Sequence, residues 1–258
     1  MPVMPATSDV NGKRESTMGN AYAAVLAGGT GSRMGNPDKP KQFWEMGDRP
    51  VIAHTVEKFC LVDEFKQIIV LSPATWVNQT RDIMQKHLAP FADRIAVIAG
   101  GAERNDTIMN AIDYIEREHG LTDDDIIVTH DAVRPFVTYR IIVDNIQAAR
   151  KYGACDTVIP ATDTIVRSVD GSTIAEIPNR AEFYQGQTPQ SFNAKQLKAL
   201  FEDLDEAERA VLTDACKIMV LKGQEVALVD GDVANIKLTY TNDMRIARAM
   251  MEEDAPHA

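Results

Sequence analysis

This chain has no apolar run approaching the roughly 20 residues that a membrane-spanning helix needs, so no membrane association is expected. Cysteine is scarce. Cys60, Cys155 and Cys216 are the only three in 258 residues, and neither their odd number nor their spacing suits a disulfide framework or a zinc site. They predict buried thiols in a reducing, cytoplasmic setting. Positive charge is also short: 27 Lys and Arg against 38 Asp and Glu give a formal net charge of −11. That balance argues against nucleic acid as a partner, because bulk electrostatic attraction to phosphodiesters is lacking. An acidic chain that binds a polyphosphate must gather its cations locally and is expected to recruit a divalent metal. The polar stretch Met1–Asn20 lacks the apolar centre of a signal peptide. A disordered extension is expected over 1–20, with one domain over 21–258.

Two common glycine motifs are missing as well. A dinucleotide fingerprint needs a glycine three positions after Gly31, where Met34 stands, and an acidic residue closing the second strand, where Ser72-Pro73 stands. A P-loop needs Gly-Lys-Ser/Thr, which does not occur. What the chain does have is the run Ala23-Ala-Val-Leu-Ala-Gly-Gly-Thr-Gly-Ser-Arg33, followed by Pro40-Lys41. An apolar strand enters a turn whose glycines let backbone N–H groups approach phosphate oxygens. Arg33 and Lys41 add charge where a triphosphate would lie. An ordinary strand-to-helix turn with surface cations would carry the same glycines.

Short β-branched runs at Tyr22–Ala27, Gln67–Ser72, Arg94–Ala99, Asp125–Thr129 and Asp156–Pro160 alternate with helical patterns such as Ile108, Ala111, Ile112 and Ile115. This alternation predicts an α/β fold, a mostly parallel central sheet with helices on both faces. Between 163 and 187 the pattern changes. Thr164–Val169, an Asp170-Gly171 turn and Thr173–Ile177 predict a β-hairpin arm inserted into that body. Helices are expected near Ala194–Leu204, Asp214–Leu221 and from Asp243, with a strand at Val226–Val229.

Ligands of open parallel sheets bind beyond the carboxyl ends of the strands. There the sequence places the Gly28–Arg33 loop, Gly100–Thr107 and His130–Pro135. Asp131 directly follows a buried strand and lies too far upstream to cap the helix after Thr138, so a metal-ligand role is favoured. Arg134 suits either a phosphate clamp or an ion pair. His130, without a second histidine nearby, reads as a structural hydrogen bonder. Lys237, expected at the start of a short strand, has the solvated surface as its plain alternative. Thr213-Asp214 reads as a helix cap.

In order along the chain, Ala27–Met34 with Pro40-Lys41-Gln42, Gly100–Arg104 with Thr107, His130–Pro135, Thr188-Pro189-Gln190 and Asn235-Ile236-Lys237 resemble the motifs of cytidylyltransferases that join CMP from CTP to a sugar or polyol phosphate. The resemblance covers the chain from about Ala21 to the last helix. It implies a Rossmann-like three-layer nucleotidyltransferase fold, Mg²⁺ as cofactor, and a homodimer built through the arm. It further implies a nucleotide site at Leu26, Ala27, Gly28, Gly29, Thr30, Gly31, Gly101, Arg104, Thr107 and Ala132. Arg33, Lys41 and Lys237 would be catalytic, Asp131 would hold the metal, and Arg134, Thr164, Arg180 and Thr188 would bind the acceptor. Arg180 would act in the partner's site, with a rim salt bridge as its plain alternative.

Two branches of this family compete. Asn105–Asn110, Tyr184–Phe192 and Leu212–Lys217 resemble the enzymes that make CDP-ribitol from D-ribitol 5-phosphate for teichoic acid or capsule-type polymers. Enzymes acting on 2-C-methyl-D-erythritol 4-phosphate, in isoprenoid synthesis, typically carry Ala-Leu before Thr-Pro-Gln and Asp before Asn-Ile-Lys. Here those positions hold Gly186-Gln187 and Ala234, leaving Asp232 as a substitute metal carboxylate. The first branch is the expected one, the second its alternative. A nucleotide-binding regulator without turnover is the alternative from another class, disfavoured by the joint retention of Arg33, Lys41, Asp131 and Lys237.

Overall fold

The structure is a computed structural model and describes residues 19–28 and 39–253. Strands β1 (Ala21–Leu26), β4 (Phe65–Ser72), β5 (Ile95–Ala99), β6 (Ile126–Asp131), β7 (Ala154–Pro160), β8 (Tyr184–Asn193) and β9 (Ala227–Asp230) form one sheet in the order β5-β4-β1-β6-β8-β7-β9. A two-stranded ribbon, β2 (Glu45–Met46) and β3 (Arg49–Pro50), stands apart from it. The helices are α1 (Val51–Cys60), α2 (Val77–His87), α3 (Arg104–His119), α4 (Tyr139–Tyr152), α5 (Ala194–Glu202), α6 (Glu206–Ala210), α7 (Ala215–Leu221) and α8 (Thr241–Glu253). This is the mostly parallel, helix-covered α/β sheet that the sequence predicts.

Each face of the sheet carries its own apolar core. In β1 the alternation of side chains sends Ala21, Ala23 and Val25 into one layer with α1 and α4, and Tyr22, Ala24 and Leu26 into the other with α3 and α7. A strand buried on both faces must be apolar throughout, and β1 has no exposed residue. α4 begins where Thr138 Oγ1 accepts the Ile141 N–H at 3.3 Å and ends at Gly153, whose φ of +82° suits glycine. Its apolar stripe of Ile141, Ile142, Ile146 and Ala149 is fully buried; each such isoleucine contributes about 1.5–3 kcal/mol of burial. All three cysteines are buried free thiols, as expected, and burial pushes Cys60 and Cys155 up to about 12.

Three expectations need correction. The arm is no continuous hairpin. Its Asp170-Gly171 turn forms, with Gly171 at φ +74° and Asp170 Oδ1 accepting the N–H groups of Ser172 and Thr173, but the flanks pair only through one antiparallel bridge, Arg167 to Glu176. Exposed on both sides, these flanks have no core to hold a longer ladder. Asn235–Lys237 has no regular secondary structure and is not the start of a strand; the Ile236 N–H turns back to the Ala234 carbonyl at 2.7 Å. β8 escapes sequence reading, because its run, with three Gln, one Gly and one Pro, lacks the β-branched signature. It lies antiparallel to both β6 and β7, with Gln187, Thr188, Gln190 and Ser191 buried. At the chain start, Asn20 was expected in the extension, yet its N–H donates to Asp125 Oδ1 at 2.7 Å. The rest of that extension, 1–18, lies outside the described residues.

Candidate active site

β1 and β6 are parallel neighbours in register, with Leu26 opposite Asp131, so Ala27-Gly28 and the His130–Pro135 turn leave the sheet side by side. Backbone bonds tie the two exits: the Ala132 N–H donates to the Leu26 carbonyl at 3.0 Å, and Ala27 donates to Leu71 at 2.8 Å. The Ala27 carbonyl in turn accepts from Gln42 Nε2, which anchors the segment carrying Lys41. Thr55 Oγ1 holds the Ala132 carbonyl at 2.8 Å.

Gly28 opens toward the start of α3, where an added methyl would lie 3.8 Å from Thr107 Oγ1. Gly101 is obligatory in this geometry: a Cβ there would stand 2.4 Å from Asp106 Cβ and 2.8 Å from the Thr107 nitrogen. The Gly101 N–H donates to Thr107 Oγ1 at 3.0 Å, and Glu103 with Asp106 forms a capping box that starts α3. The positive end of a 16-residue helix therefore faces the strand ends.

Asp131 sits at the centre of a cationic cluster. Arg104, the first residue of α3, pairs with its Oδ1; Lys237 Nζ lies 2.9 Å and Arg134 Nε 3.6 Å from its Oδ2. Burial works to raise the Asp131 pKa, but the charges of Arg104, Lys237 and Arg134 outweigh it and hold the carboxyl well below the usual carboxylate range. Three cations around one carboxylate leave the site net positive in a chain of charge −11. Arg134 is itself buried, and its Nη1 donates to the Asn235 carbonyl at 2.7 Å, which fixes the segment bearing Lys237.

Thr188, from β8, sets the backbone of this cluster. Its Oγ1 accepts the Asp131 N–H at 3.2 Å and lies 2.9 Å from His130 Nδ1. His130 Nε2 is 3.0 Å from the Arg134 carbonyl, which only accepts, so the ring proton sits on Nε2 and the Thr188 hydroxyl donates to Nδ1. The buried imidazole is thus the structural hydrogen bonder expected. Burial is the largest influence on it and lowers its pKa to about 4.

Of the residues expected from sequence, the structure gathers Leu26, Ala27, Gly28, Gly101, Arg104, Thr107, Asp131, Ala132, Arg134, Thr188 and Lys237 at this one sheet edge. Lys41 stands in the 3-10 turn Lys41–Phe43, whose Gln42 bonds to the Ala27 carbonyl. Gly29, Thr30, Gly31 and Arg33 lie outside the described residues. Thr164 and Arg180 take no part in the cluster. Both are on the exposed arm, where Arg180 Nη1 donates to the Thr162 carbonyl at 2.7 Å. Asp214 caps α7, as expected, by accepting the Lys217 N–H at 3.0 Å.

Sequence reasoning missed Gln187. Its Nε2 donates to the Asp232 carbonyl at 2.8 Å, and its Oε1 accepts from Asp232 N at 3.3 Å and Asn235 Nδ2 at 3.2 Å. The signal was its departure from Leu at a position next to Thr-Pro-Gln. Asp232, considered as a metal carboxylate, instead closes a turn by accepting the Ala234 N–H at 2.8 Å. Among the described residues no group of three or more His, Cys, Asp or Glu side chains is placed to hold a metal ion. No helix among them is long and apolar enough to cross a membrane.

A mostly parallel sheet with Gly28, a helix N-terminus and a cation cluster at its carboxyl edge fits an α/β nucleotidyltransferase fold. Residues 21–253 match the family model of 2-C-methyl-D-erythritol 4-phosphate cytidylyltransferase (IspD), and the chain belongs to that family of CTP-dependent cytidylyltransferases. Among solved structures it is similar to 4-diphosphocytidyl-2C-methyl-D-erythritol synthase from Anaerococcus prevotii (25% identity, TM-score 0.74, 91% of this chain and 99% of that one covered). It is likewise similar to 2-C-methyl-D-erythritol 4-phosphate cytidylyltransferase from Francisella tularensis (25%, 0.74, 89% and 99%). The Thermus thermophilus enzyme shares the fold at 23% identity and a TM-score of 0.66, with 91% and 100% covered.

Proposed function

We propose that this chain transfers CMP from CTP to D-ribitol 5-phosphate, releasing pyrophosphate and forming CDP-ribitol for a teichoic acid or capsule-type polymer. An acceptor phosphate oxygen attacks the α-phosphorus of CTP; that P–O bond forms as the bond to the β-phosphate bridging oxygen breaks. Such transfers depend on positioning and charge stabilisation more than on covalent help from the protein. The observation that carries the nucleotidyl-transfer reading is the Arg104–Arg134–Lys237 cluster about Asp131, beside the end of β1 where Gly28 begins the glycine run. In this reading Gly28–Gly31 cradle the triphosphate, Arg33 and Lys41 stabilise the developing charge, and Lys237 reaches the α-phosphate. Gly101, Thr107 and Ala132 border the nucleoside, and Arg134 and Thr188 serve the acceptor phosphate.

Asp131 is the one protein carboxylate of the cluster that would hold Mg²⁺, which would be shared with substrate phosphate oxygens and water. Asp232 is committed to its turn and Ala234 has no donor. When bound, the ion would neutralise phosphate charge.

The choice of acceptor has support on each side. The family model and the similar structures bear the name of 2-C-methyl-D-erythritol 4-phosphate, and this favours that second acceptor. Gln187 and Ala234, two departures from the methylerythritol pattern, favour ribitol phosphate. Gln187 bonds to Asp232 and Asn235 on either side of Ala234, so the two departures lie in one hydrogen-bonded segment. Pyrophosphate release with CTP and Mg²⁺, both acceptors offered in parallel, tests the reading. A strong preference for ribitol phosphate is expected; preference for methylerythritol phosphate overturns it.

The arm supports a homodimer. Val166, Val169, Ile174 and Ile177 are 50–78% exposed on it, more apolar surface than one short segment ordinarily leaves open. A partner covering it would bring Thr164 and Arg180 to the neighbouring site. Light scattering at the mass of one chain would exclude this.

A further inference from the structure

Lys237 lies in neither helix nor strand, so its place on Asp131 depends on how the chain between β9 and α8 is tied down. Past it, the Leu238 N–H donates to the Val133 carbonyl at 2.9 Å, and Leu238 is buried. Before it, Asn235 is fully buried. Its carbonyl accepts from Arg134 Nη1 at 2.7 Å, and its Nδ2 donates to the Thr188 carbonyl at 2.8 Å. Further upstream, one side chain holds Asp232 through both backbone groups. Gln187 Nε2 donates to the Asp232 carbonyl at 2.8 Å, while its Oε1 accepts from the Asp232 N–H at 3.3 Å and from Asn235 Nδ2 at 3.2 Å. An amide sets a donor beside an acceptor, the complement of a backbone carbonyl and N–H. At 7% exposed, Gln187 has little water nearby to replace those partners.

Two features of the backbone make room for this amide. The pairing of β8 with β7 shifts register between Asp156, opposite Gln190, and Val158, opposite Gly186. Gln187 falls in that irregular stretch, and a bulge re-aims side chains that a regular ladder would commit to one face. The second feature is Gly231. Its φ is not positive, so its conformation does not call for glycine. The space does: a Cβ there would stand 2.5 Å from Gln187 Oε1, and 3.1 Å from both Thr157 Cγ2 and the Val158 carbonyl oxygen. That carbonyl accepts the Gly231 N–H at 2.8 Å, so residue 231 cannot back away without losing its tie to β7. The end of a free side chain would swing aside, but this amide is held by three hydrogen bonds.

Without the Gln187 amide, Asp232 loses its side-chain tie and Asn235 Nδ2 keeps only the Thr188 carbonyl. Arg134 and Thr188 still hold Asn235, so the segment shifts rather than unfolds. Lys237 is half-exposed, and its ammonium has room to follow such a shift off Asp131. We propose that Gln187 is a positioning residue for Lys237: its amide fixes Asp232 and Asn235 so that the ammonium stays on Asp131, and Gly231 is glycine to admit that amide. The placement rests on geometry alone; its consequence for turnover rests on the reading given above, in which Lys237 reaches the α-phosphate.

Two variants of the full chain test it. Gln187→Met keeps the length of the side chain and removes the amide; Gly231→Ala drives the amide from its place. The direct readout is acetylation by an N-hydroxysuccinimide ester, followed by mass spectrometry, with exposed Lys66 and Lys86 as internal references. An ammonium paired with a carboxylate must leave the pair and lose its proton before it can attack the ester. Each variant is therefore expected to raise the Lys237 rate about threefold or more relative to the references, because the charge-assisted bond to Asp131 is broken. Circular dichroism shows which variants are folded, and if one is not, the other decides. An unchanged relative rate in a folded variant overturns the proposal, whatever the turnover. Pyrophosphate release, with D-ribitol 5-phosphate and 2-C-methyl-D-erythritol 4-phosphate as acceptors, then tests the consequence. The kcat is expected to fall about tenfold while the KM for CTP stays within about threefold, as for a group displaced from the transition state. A raised Lys237 rate with unchanged kcat sustains the placement and removes Lys237 from the chemistry. If the wild type turns over neither acceptor, the nucleotidyl-transfer reading fails, and the acetylation rates still decide the placement.

Discussion

Lys237 Nζ lies 2.9 Å from Asp131 Oδ2, so a lysine on the irregular segment after β9 closes on the carboxylate that ends β6. The pair is asymmetric: Asp131 is 8% exposed and Lys237 44%. The carboxylate is buried in the cluster, while the ammonium is half-exposed.

Asp131→Asn is therefore expected to lower turnover by about 10²-fold or more, the scale of losing one preorganised electrostatic group, and to abolish the response to Mg²⁺. It also strands buried Arg134, and breaking a buried pair costs about 3–5 kcal/mol. Thermal melting separates the two effects. A folded variant with normal turnover and normal magnesium dependence would remove Asp131 from the metal site.

Arg33 lies outside the described residues, so its test rests on the sequence motif. Arg33→Ala is expected to lose roughly 10²-fold in turnover. A drop below about threefold in single-turnover assays strikes it from the catalytic group.

The 2.4 Å approach of a hypothetical Gly101 Cβ to Asp106 Cβ makes that glycine a packing requirement. Gly101→Ala should push back the first turn of α3, costing about 1–3 kcal/mol in urea denaturation, in line with overpacked cores. Through Thr107 it should also raise the KM for CTP. An unchanged midpoint with an unchanged KM would contradict the close approach.

His130 links stability to pH. Its folded pKa is about 4 against an ordinary 6.5, because burial disfavours the charged ring. Between these values the unfolded chain binds a proton that the folded one refuses, so the contribution is fully present above pH 6.5 and is lost as pH falls toward 4. The full span is worth about 3 kcal/mol. Denaturant titrations at pH 7, 6 and 5 should show a shallower fall for His130→Gln than for the wild type. Asp156, raised to about 6 mainly by burial, acts in the opposite direction but is common to both proteins and drops out of the difference. Parallel curves would show that His130 titrates normally.

By itself the sequence determined the α/β alternation, the carboxyl-edge loops and most of the cluster: Gly28, Gly101, Arg104, Thr107, Asp131, Arg134 and Lys237. These features are local. Apolar periodicity marks a strand buried on both faces, and a polar motif at its end has few purposes but function. Tertiary structure alone decided the course of β8, whose Gln-rich run becomes a central strand because its buried polar groups meet partners far away in sequence, such as Thr129 Oγ1 at the Gln190 carbonyl at 2.9 Å. It also decided that the arm pairs at a single bridge, and that Gln187 grips the loop before Lys237. The bridging of Asp156 to Asp214 by Gln190 is of the same kind. A hydrogen bond between residues dozens of positions apart leaves no periodic trace along the chain; it exists only once the sheet has brought its ends together.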